Sequence, residues 1–239
     1  MVTPSTAGEG AAKPSLDARQ RVLRAIARSP ALWAPRKAAR RSLRATWATP
    51  RPILAKRNDL PRLLNRRGLV GCGVEVGVKA GAFSERLLEG WKGRHLISVD
   101  PWAAAEQDDR YVNLDNVAQE IHDGFHAEAV GRLARFGERS TVWRMTGHEA
   151  ARRIPHHTLD FVYLDARHDY ESVRDDLAQW FPKVRPGGIL AGHDYIDGTF
   201  VNGDFGVRSA VDEFFAARSL RVRHTFTDSP WDSWFVIVR

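Results

Sequence analysis

The turn that follows the first apolar run constrains the fold more than any other feature of the chain. This run covers residues 72–78, and glycines break its end at a spacing of four residues. A helical stretch over 83–90 and a second apolar run over 95–100 come next. Strand, glycine turn, helix and strand in this order predict a βαβ unit, whose two parallel strands end at the same edge of a sheet.

Acidic and glycine residues in this unit indicate what the turn binds. Glu75 lies in the first run, Gly77 and Gly81 space the turn, and Asp100 ends the second run. The spacing is E-x-G-x-x-x-G, whereas the dinucleotide fingerprint G-x-G-x-x-G holds a pyrophosphate at the helix start. A carboxylate repels a phosphate and attracts an ammonium or a sulfonium, and Asp100 is suited to ribose hydroxyls. The pattern favours S-adenosylmethionine as the ligand, with NAD second.

Apolar runs and helical stretches alternate from residue 68 to the end of the chain. The runs that predict strands are 72–78, 95–100, 141–146, 159–165, 187–192, 220–226 and 233–238. Helices are predicted between them at 83–90, 116–136, 148–153, 170–184 and 206–218. This alternation predicts an α/β fold with a mostly parallel, seven-stranded Rossmann-like sheet and helices on both faces. The connection 228–232 is too short for a crossover, so the last two strands should form an antiparallel hairpin.

Charge divides the chain into two parts. The net charge is +7, yet fifteen Lys or Arg residues and a single acid, Asp59, lie between Arg19 and Arg67, and residues 68–239 carry a net charge of −6. We therefore predict a basic N-terminal extension over 1–67, partly disordered with short helices, and a domain over 68–239. The extension is a solvated or packing arm in one interpretation. In another it contacts anionic lipid, polyanionic glycan or nucleic acid.

Cysteine content and hydropathy indicate the compartment. The chain has one cysteine, Cys72, which excludes an intramolecular disulfide and is typical of a reducing environment. No apolar run is long enough to span a bilayer, and residues 1–14 lack the apolar segment of a secretory signal. We expect a cytoplasmic protein.

Two later strands also end in groups that bind metals or move protons. Asp165 and His168 follow the fourth apolar run, and His193 and Asp194 follow the fifth. Ligands of open α/β sheets bind beyond the carboxyl ends of the strands, so these side chains should meet the acidic groups of the first two strands in one cleft. Asp165 and Asp194 are candidates for an oxygen-rich divalent metal site.

Three motifs carry a resemblance to a known family. They are E-V-G-V-x-x-G-x-F-S, L-D-A-x-H-x-Y-E and P-G-G-I-L-A-G-H-D-Y, in this order. From Gly71 to Arg239 the chain resembles class I S-adenosylmethionine-dependent methyltransferases. More narrowly, it resembles the metal-dependent sugar O-methyltransferases that are similar to macrocin O-methyltransferase. A terminal antiparallel hairpin distinguishes the methyltransferase sheet from the dehydrogenase sheet.

The resemblance implies roles for individual residues. The implied cofactor residues are Glu75, Gly77 and Gly81 at the methionine end with Ser84 close by, Asp100 at the ribose, and Thr146, Gly147 and His148 beside the adenine. Trp102, two residues after Asp100, is expected beside the nucleoside as a stacking or lid residue. Asp165 is expected beside the cofactor and, with Asp194, on a divalent cation, for which Mg²⁺ is the expectation. His193 stands where the sugar enzymes tend to have a second carboxylate. Because imidazole suits softer metals than Mg²⁺, His193 is either a third ligand or a base.

The reaction explains why these groups are needed. An alcohol is too weakly acidic to ionise at neutral pH, and chelation by a dication lowers its pKa and aligns it with the sulfonium. A nearby histidine or carboxylate then removes the proton. Asp165, His168 and His193 are the predicted catalytic residues. His168 is the first candidate base, followed by His193 and His148, with a supporting role for His168 as the alternative.

These observations give one leading hypothesis and several alternatives. The leading one is methyl transfer to a hydroxyl of a sugar, a glycan or a glycosylated small molecule. A nucleic-acid methyltransferase that grips its substrate with the basic arm is the alternative, but the fourth strand is followed by Asp-Ala-Arg-His rather than Asn/Asp-Pro-Pro-Tyr. A cofactor-binding scaffold and an NAD-dependent oxidoreductase are less favoured, because the carboxylates and glycines are intact. A homodimer stays open.

Overall fold

A computed structural model describes residues 54–104, 117–201, 203–228 and 231–239. Its strands are β1 (Cys72–Val76), β2 (His95–Asp100), β3 (Ser140–Arg144), β4 (Leu159–Leu164), β5 (Val184–Gly192), β6 (Asp197–Phe200), β7 (Gly203–Gly206), β8 (Arg223–His224) and β9 (Trp234–Ile237). Its α-helices are α1 (Leu60–Arg66), α2 (Ala82–Gly90), α3 (Gln119–Leu133), α4 (Gly147–Arg153), α5 (Tyr170–Trp180) and α6 (Val207–Ala216). Short 3₁₀ helices cover Arg57–Asp59, Ala134–Arg139 and Phe181–Lys183.

Seven of the strands form one sheet in the order β3-β2-β1-β4-β5-β9-β8. The strands β1 to β5 pair in parallel, whereas β9 runs antiparallel to both β5 and β8. The predicted mostly parallel, seven-stranded Rossmann-like sheet with its terminal antiparallel hairpin is therefore confirmed. The carboxyl ends of β1, β2, β4 and β5 meet at one edge, which is the edge where such sheets bind ligands.

The central strands β1 and β4 are mostly apolar and almost wholly buried, because the sheet is covered on both faces. Alternate residues of β4 separate the two sides: Val162 and Leu164 pack with α5 and α6, and Phe161 and Tyr163 pack with α1 and α2. The Phe161 ring lies against the backbone of Gly73, and a Cβ at Gly73 would overlap that ring. The core thus has one layer on each face of a single sheet.

The part of the basic extension that the structure describes, residues 54–67, packs against the sheet. Leu54, Leu60 and Leu64 are almost fully buried and join the core layer of α2. The carbonyl of Ala55 accepts hydrogen bonds from the backbone N–H groups after β8. The rest of the extension, and with it the predicted disorder and short helices before residue 54, lies outside the described residues.

Two local features differ from the expected elements. The strand predicted over 220–226 pairs only at Arg223–His224. The segment after β5 contains an antiparallel hairpin, β6–β7, that forms its own two-stranded sheet. Its aromatic residues Phe200 and Phe205 pack on Trp231. The sequence did not indicate this hairpin, because the segment has no clear periodicity of apolar residues. Across the described part of the chain, no helix combines the length and the apolarity needed to cross a membrane.

Candidate active site

A cleft of about 770 Å³ opens at the carboxyl edge of the sheet. Most of the predicted site residues line it: Glu75, Gly77, Asp100, Trp102, Thr146, Gly147, His148, Asp165, His168 and Asp194. Gly81, Ser84 and His193 are not among the lining residues. The sheet topology thus brings together side chains that are up to 119 positions apart in the sequence.

The glycine turn brings the ends of β1 and β4 into contact. Gly77 has a φ of +88°, and a Cβ at this position would overlap the backbone carbonyl of Asp165. The Asp165 N–H donates to the carbonyl of Val76 at 2.8 Å. Gly81, with a φ of +77°, begins α2 and packs against Ala129 of α3. The first glycine shapes the cleft, and the second fixes how α2 packs.

Glu75 reaches the cleft from a buried position. Its side chain is 1 % exposed, and its carboxyl accepts a hydrogen bond from the Ser84 hydroxyl, which lies 2.8 Å from the Ser98 hydroxyl. Burial raises the pKa of Glu75 to about 8, although the Ser84 hydrogen bond opposes the shift. Ser84 therefore holds Glu75 rather than lining the cleft.

Asp100 fastens the glycine turn to β2. Its Oδ2 accepts from the backbone N–H groups of Val78 at 2.9 Å and Lys79 at 3.0 Å, and its Oδ1 accepts from Trp102 N–H at 2.8 Å. A carboxylate offers about four acceptor positions, so one is left for a ligand hydroxyl. Trp102 is 1 % exposed, and its indole N–H donates to the carbonyl of Lys79. Trp102 is therefore a packing residue in the cleft wall.

The start of α4 forms the next part of the wall. Thr146 caps the helix, because its hydroxyl accepts from the Glu149 N–H while the Glu149 carboxylate accepts from Thr146 N–H. Gly147 follows directly, and a Cβ on it would lie 2.9 Å from Val76 Cγ1. Together with His148 these residues line the cleft beside the end of β1.

Asp165, His168 and Asp194 gather at the other end of the cleft. His168 Nε2 lies 3.0 Å from Asp194 Oδ2 and 3.8 Å from Asp165 Oδ1. The imidazole stacks on Phe205 of the β6–β7 hairpin at 4.8 Å, and the carbonyl of His168 accepts from Gly206 N–H. The hairpin therefore fixes the position of this histidine. His193 lies behind the cleft, where its Nδ1 is 2.7 Å from Asp194 Oδ1.

The charges in this cluster stabilise one another. Burial favours a neutral Asp194, but hydrogen bonds from His168 and His193 hold the pKa of its carboxyl well below the ordinary value. Burial also opposes a charged His193, yet Asp165 and Asp194 raise its pKa above 6.5. Asp194 has a φ of +51°, which is rare for a residue with a side chain. Such backbone strain is concentrated at functional sites.

The cluster has the donors of a metal site. One ligand atom each from Asp165, His168 and Asp194 lie within 4.8 Å of one another, with partly buried side chains. His168 thus occupies the place in this group that we expected for His193. Two carboxylates with an imidazole suit Mn²⁺, Fe²⁺ or Zn²⁺ better than Mg²⁺, whereas the two carboxylates alone also suit Mg²⁺. The residues present fit a divalent cation.

Two cleft residues were missed in the sequence. Arg57 belongs to the predicted extension, and its Nη1 lies 3.5 Å from Asp165 Oδ2. Asp176 lies on α5 next to the wall at Gly147, and burial raises its pKa to about 7. Asp176 sits on a polar helix face in the sequence, and Arg57 lies among many other arginines, so neither had a distinguishing signal.

Known proteins are similar to this chain in sequence and in fold. An uncharacterised protein of Sinorhizobium fredii is 25 % identical over 140 residues, and one of Acanthamoeba polyphaga mimivirus is 23 % identical over 124 residues. These matches span 56 % and 52 % of this chain, but only 14 % and 51 % of the two relatives.

Solved structures show the same fold at low identity. Cofactor-bound Rv0187 from MTB matches with a TM-score of 0.53 at 17 % identity, over 95 % of this chain and 99 % of that one. The O-methyltransferase from Bacillus cereus in complex with SAH matches with a TM-score of 0.51 at 12 % identity, over 93 % and 92 % of the two chains. The fold is thus shared with O-methyltransferases.

A family model gives the more specific result. The model described as "Methyltransferase domain" matches residues 74–195, which run from β1 to the residue after Asp194 and include every predicted site residue. The match covers half of the chain. The chain therefore belongs to this methyltransferase family.

Proposed function

We propose that the protein is an S-adenosylmethionine-dependent O-methyltransferase that acts on a hydroxyl of a sugar, a glycan or a glycosylated small molecule, with a divalent cation. One observation carries the proposal: a single cleft is lined by Glu75, Asp100 and Gly147, which lie in β1 or follow β2 and β3, and by the Asp165–His168–Asp194 cluster at the ends of β4 and β5. Family membership supports methyl transfer. The cluster supports a hydroxyl as the accepting group, because an alcohol needs a base or a Lewis acid.

Two carboxylates support S-adenosylmethionine as the donor. Glu75 lines the cleft and would accept from the ammonium of the methionine part, and Asp100 keeps one acceptor position for a ribose hydroxyl. Thr146, Gly147 and His148 line the cleft where the adenine is expected. Gly77 allows the end of β1 to lie close to Asp165, which shapes this part of the cleft. The cleft volume of about 770 Å³ is in the range of ligand pockets.

At the acceptor end, the chain supplies a base held in place. Asp194 Oδ2 lies 3.0 Å from His168 Nε2 and orients the imidazole, and a positioned histidine can take up the proton of a hydroxyl. In the reaction the hydroxyl proton passes to this base, the acceptor oxygen forms a bond to the methyl carbon, and the C–S bond breaks. S-adenosylhomocysteine leaves with the electron pair of that bond.

A cation would be held by the carboxylates of Asp165 and Asp194, and the imidazole of His168 would then act as the base rather than as a third ligand. When bound, a divalent metal supplies a Lewis acid that lowers the pKa of an acceptor hydroxyl. His193 then serves as a positioning residue, because its Nδ1 lies 2.7 Å from the Asp194 carboxylate and orients it.

The test is a methyl-transfer screen over glycans, phenols and RNA, run with EDTA, Mg²⁺ and Mn²⁺. We expect turnover of a hydroxylated small molecule that EDTA abolishes and a metal restores. Asp165→Asn should lower kcat at least about 100-fold and leave S-adenosylhomocysteine binding largely intact. Asp204→Asn, an exposed aspartate of β7, is the matched control and should be fully active. Full activity in EDTA would contradict the metal, and turnover of RNA alone would favour the nucleic-acid alternative.

A further inference from the structure

Arg57 brings a permanent positive charge into the cleft from outside the predicted domain. Its Nη1 lies 3.5 Å from Asp165 Oδ2, and its guanidinium lies over the Phe83 ring, 5.0 Å from the centroid. The side chain is 35 % exposed. Arg57 is therefore held against the cleft wall while part of its guanidinium remains accessible to a ligand.

The segment that carries Arg57 reaches the cleft from one half of the sheet. Ala55 accepts from the backbone N–H groups of Phe226 and Thr227, and Arg57 N–H donates to the Asp228 carboxylate. These three partners follow β8, beyond β5 and β9 in the strand order. The proposed nucleoside contacts at Asp100 and Gly147 follow β2 and β3, in the opposite half, whereas Phe83, under the guanidinium, lies in the first turn of α2 next to the methionine end. Arg57 therefore lies between the methionine end and the Asp165–His168–Asp194 cluster, where the methyl group would pass to the acceptor.

The guanidinium keeps hydrogen-bonding capacity in this position. It has five N–H donors, and the side chains in the described ranges with which it interacts as a donor are Asp165 and Tyr163. Its contact with Asp165 is single and long at 3.5 Å, whereas charge-assisted hydrogen bonds measure about 2.7–2.9 Å. Asp165 Oδ1 also lies 3.8 Å from both His168 and His193. The contact with Asp165 therefore uses only part of the hydrogen-bonding capacity of the Arg57 guanidinium.

We propose that Arg57 binds an anionic oxygen group of the methyl acceptor, so that the acceptor is a hydroxylated acid with a carboxylate or a phosphate close to the hydroxyl that is methylated. This inference rests on the proposed function and narrows its substrate class. The planar guanidinium suits such a group because it can bind two oxygens side by side. Asp165, between Arg57 and His168, places the anion next to the hydroxyl that the cluster activates.

The first test compares matched acceptors. The methyl-transfer screen includes pairs that differ in one acidic group: methyl glucoside and methyl glucuronoside, catechol and 3,4-dihydroxybenzoate, and glucose and glucose 6-phosphate. We expect the acidic member of the productive pair to have the higher kcat/KM. Arg57→Gln should lower the ratio of the acidic to the neutral kcat/KM at least about tenfold. Arg62→Gln, an exposed arginine of α1, is the control and should keep the preference. A neutral member used as well as the acidic one would overturn the proposal.

The second test needs no turnover. Inorganic phosphate, compared with chloride at equal ionic strength, should raise the melting temperature of the S-adenosylhomocysteine-loaded protein and of Arg62→Gln. Phosphate should raise the melting temperature of Arg57→Gln by a clearly smaller amount. Equal shifts in all three proteins would overturn the proposal even if no acceptor in the screen reacts.

Binding of the donor separates this proposal from the proposed function. Arg57→Gln should bind S-adenosylhomocysteine within about twofold of the wild type, since the acceptor anion is absent. A selective loss of S-adenosylhomocysteine affinity, with 5′-methylthioadenosine binding unchanged, would assign Arg57 to the methionine carboxylate and overturn the acceptor role. No binding of S-adenosylhomocysteine by the wild type would instead contradict the proposed function.

Discussion

At the scale of single residues, Glu75 shows how burial changes the chemistry that its sequence position suggests. A carboxylate beside an ammonium is the expected arrangement, yet the ligand-free side chain is 1 % exposed and its pKa is raised to about 8. At pH 7 the group is therefore mainly protonated. A bound ammonium stabilises the carboxylate and lowers this pKa, so ligand binding must expel the proton.

This coupling is measurable as proton release. At pH 7, binding of S-adenosylhomocysteine should release most of one proton, about 0.8 to 0.9 for a pKa that falls from about 8 to 6 or below. Calorimetry in buffers of different ionisation enthalpy gives the number. The release should decline as the pH rises through 8, because the free protein is then already ionised. Glu75→Gln should release none, and 5′-methylthioadenosine, which lacks the ammonium, should release little from the wild type. Zero release from the wild type would show that Glu75 does not meet the ammonium.

At the scale of elements, the regular strands and helices were predictable, and their contacts were not. The strands β1, β2 and β4 begin where the apolar runs begin, because a buried strand needs a continuous apolar stretch. The hairpin β6–β7 lacked such a pattern, and it holds His168 through Phe205. The role of Asp100 in fastening the turn was also hidden, since backbone N–H groups leave no trace in a sequence.

The glycine turn gives a prediction at this scale. Gly77→Ala places a Cβ into the carbonyl of Asp165 and forces an L-residue to a φ of +88°. We expect it to destabilise the fold by about 2–4 kcal/mol and to weaken S-adenosylhomocysteine binding at least about tenfold. Urea unfolding and calorimetry measure both effects. Gly124→Ala is the matched control: it lies in α3 with no atom within 4 Å of its Cβ, so it should stabilise the fold by about 0.5–1 kcal/mol. A Gly77→Ala protein that binds normally would contradict the proposed approach of β1 to β4.

At the scale of the whole molecule, the order of the strands explains how distant motifs form one site. The sequence motifs indicate which residues matter, and the parallel pairing of β1 with β4 and of β4 with β5 puts them at one edge. The boundary of the unit was harder to predict, because residues 54–67 carry the arginines of the extension together with apolar residues of the core. Leu60 and Leu64 are as buried as the centre of the sheet.

Truncation distinguishes the two parts of the extension. A chain that begins at residue 54 keeps every contact that the described residues make with one another, so it is the reference for the shorter chain. A chain that begins at residue 68 loses Leu54, Leu60 and Leu64, each worth about 2–5 kcal/mol when buried. Their sum is comparable with the whole stability of a domain, about 5–15 kcal/mol, so this chain should fail to fold.

Leu64→Ala in the full chain is the milder control and should lower the unfolding free energy by about 2–5 kcal/mol. If the chain from residue 68 melted at the same temperature as the chain from residue 54, the segment would be dispensable for folding. Arg57 would then reach the cleft on an arm that the fold does not need.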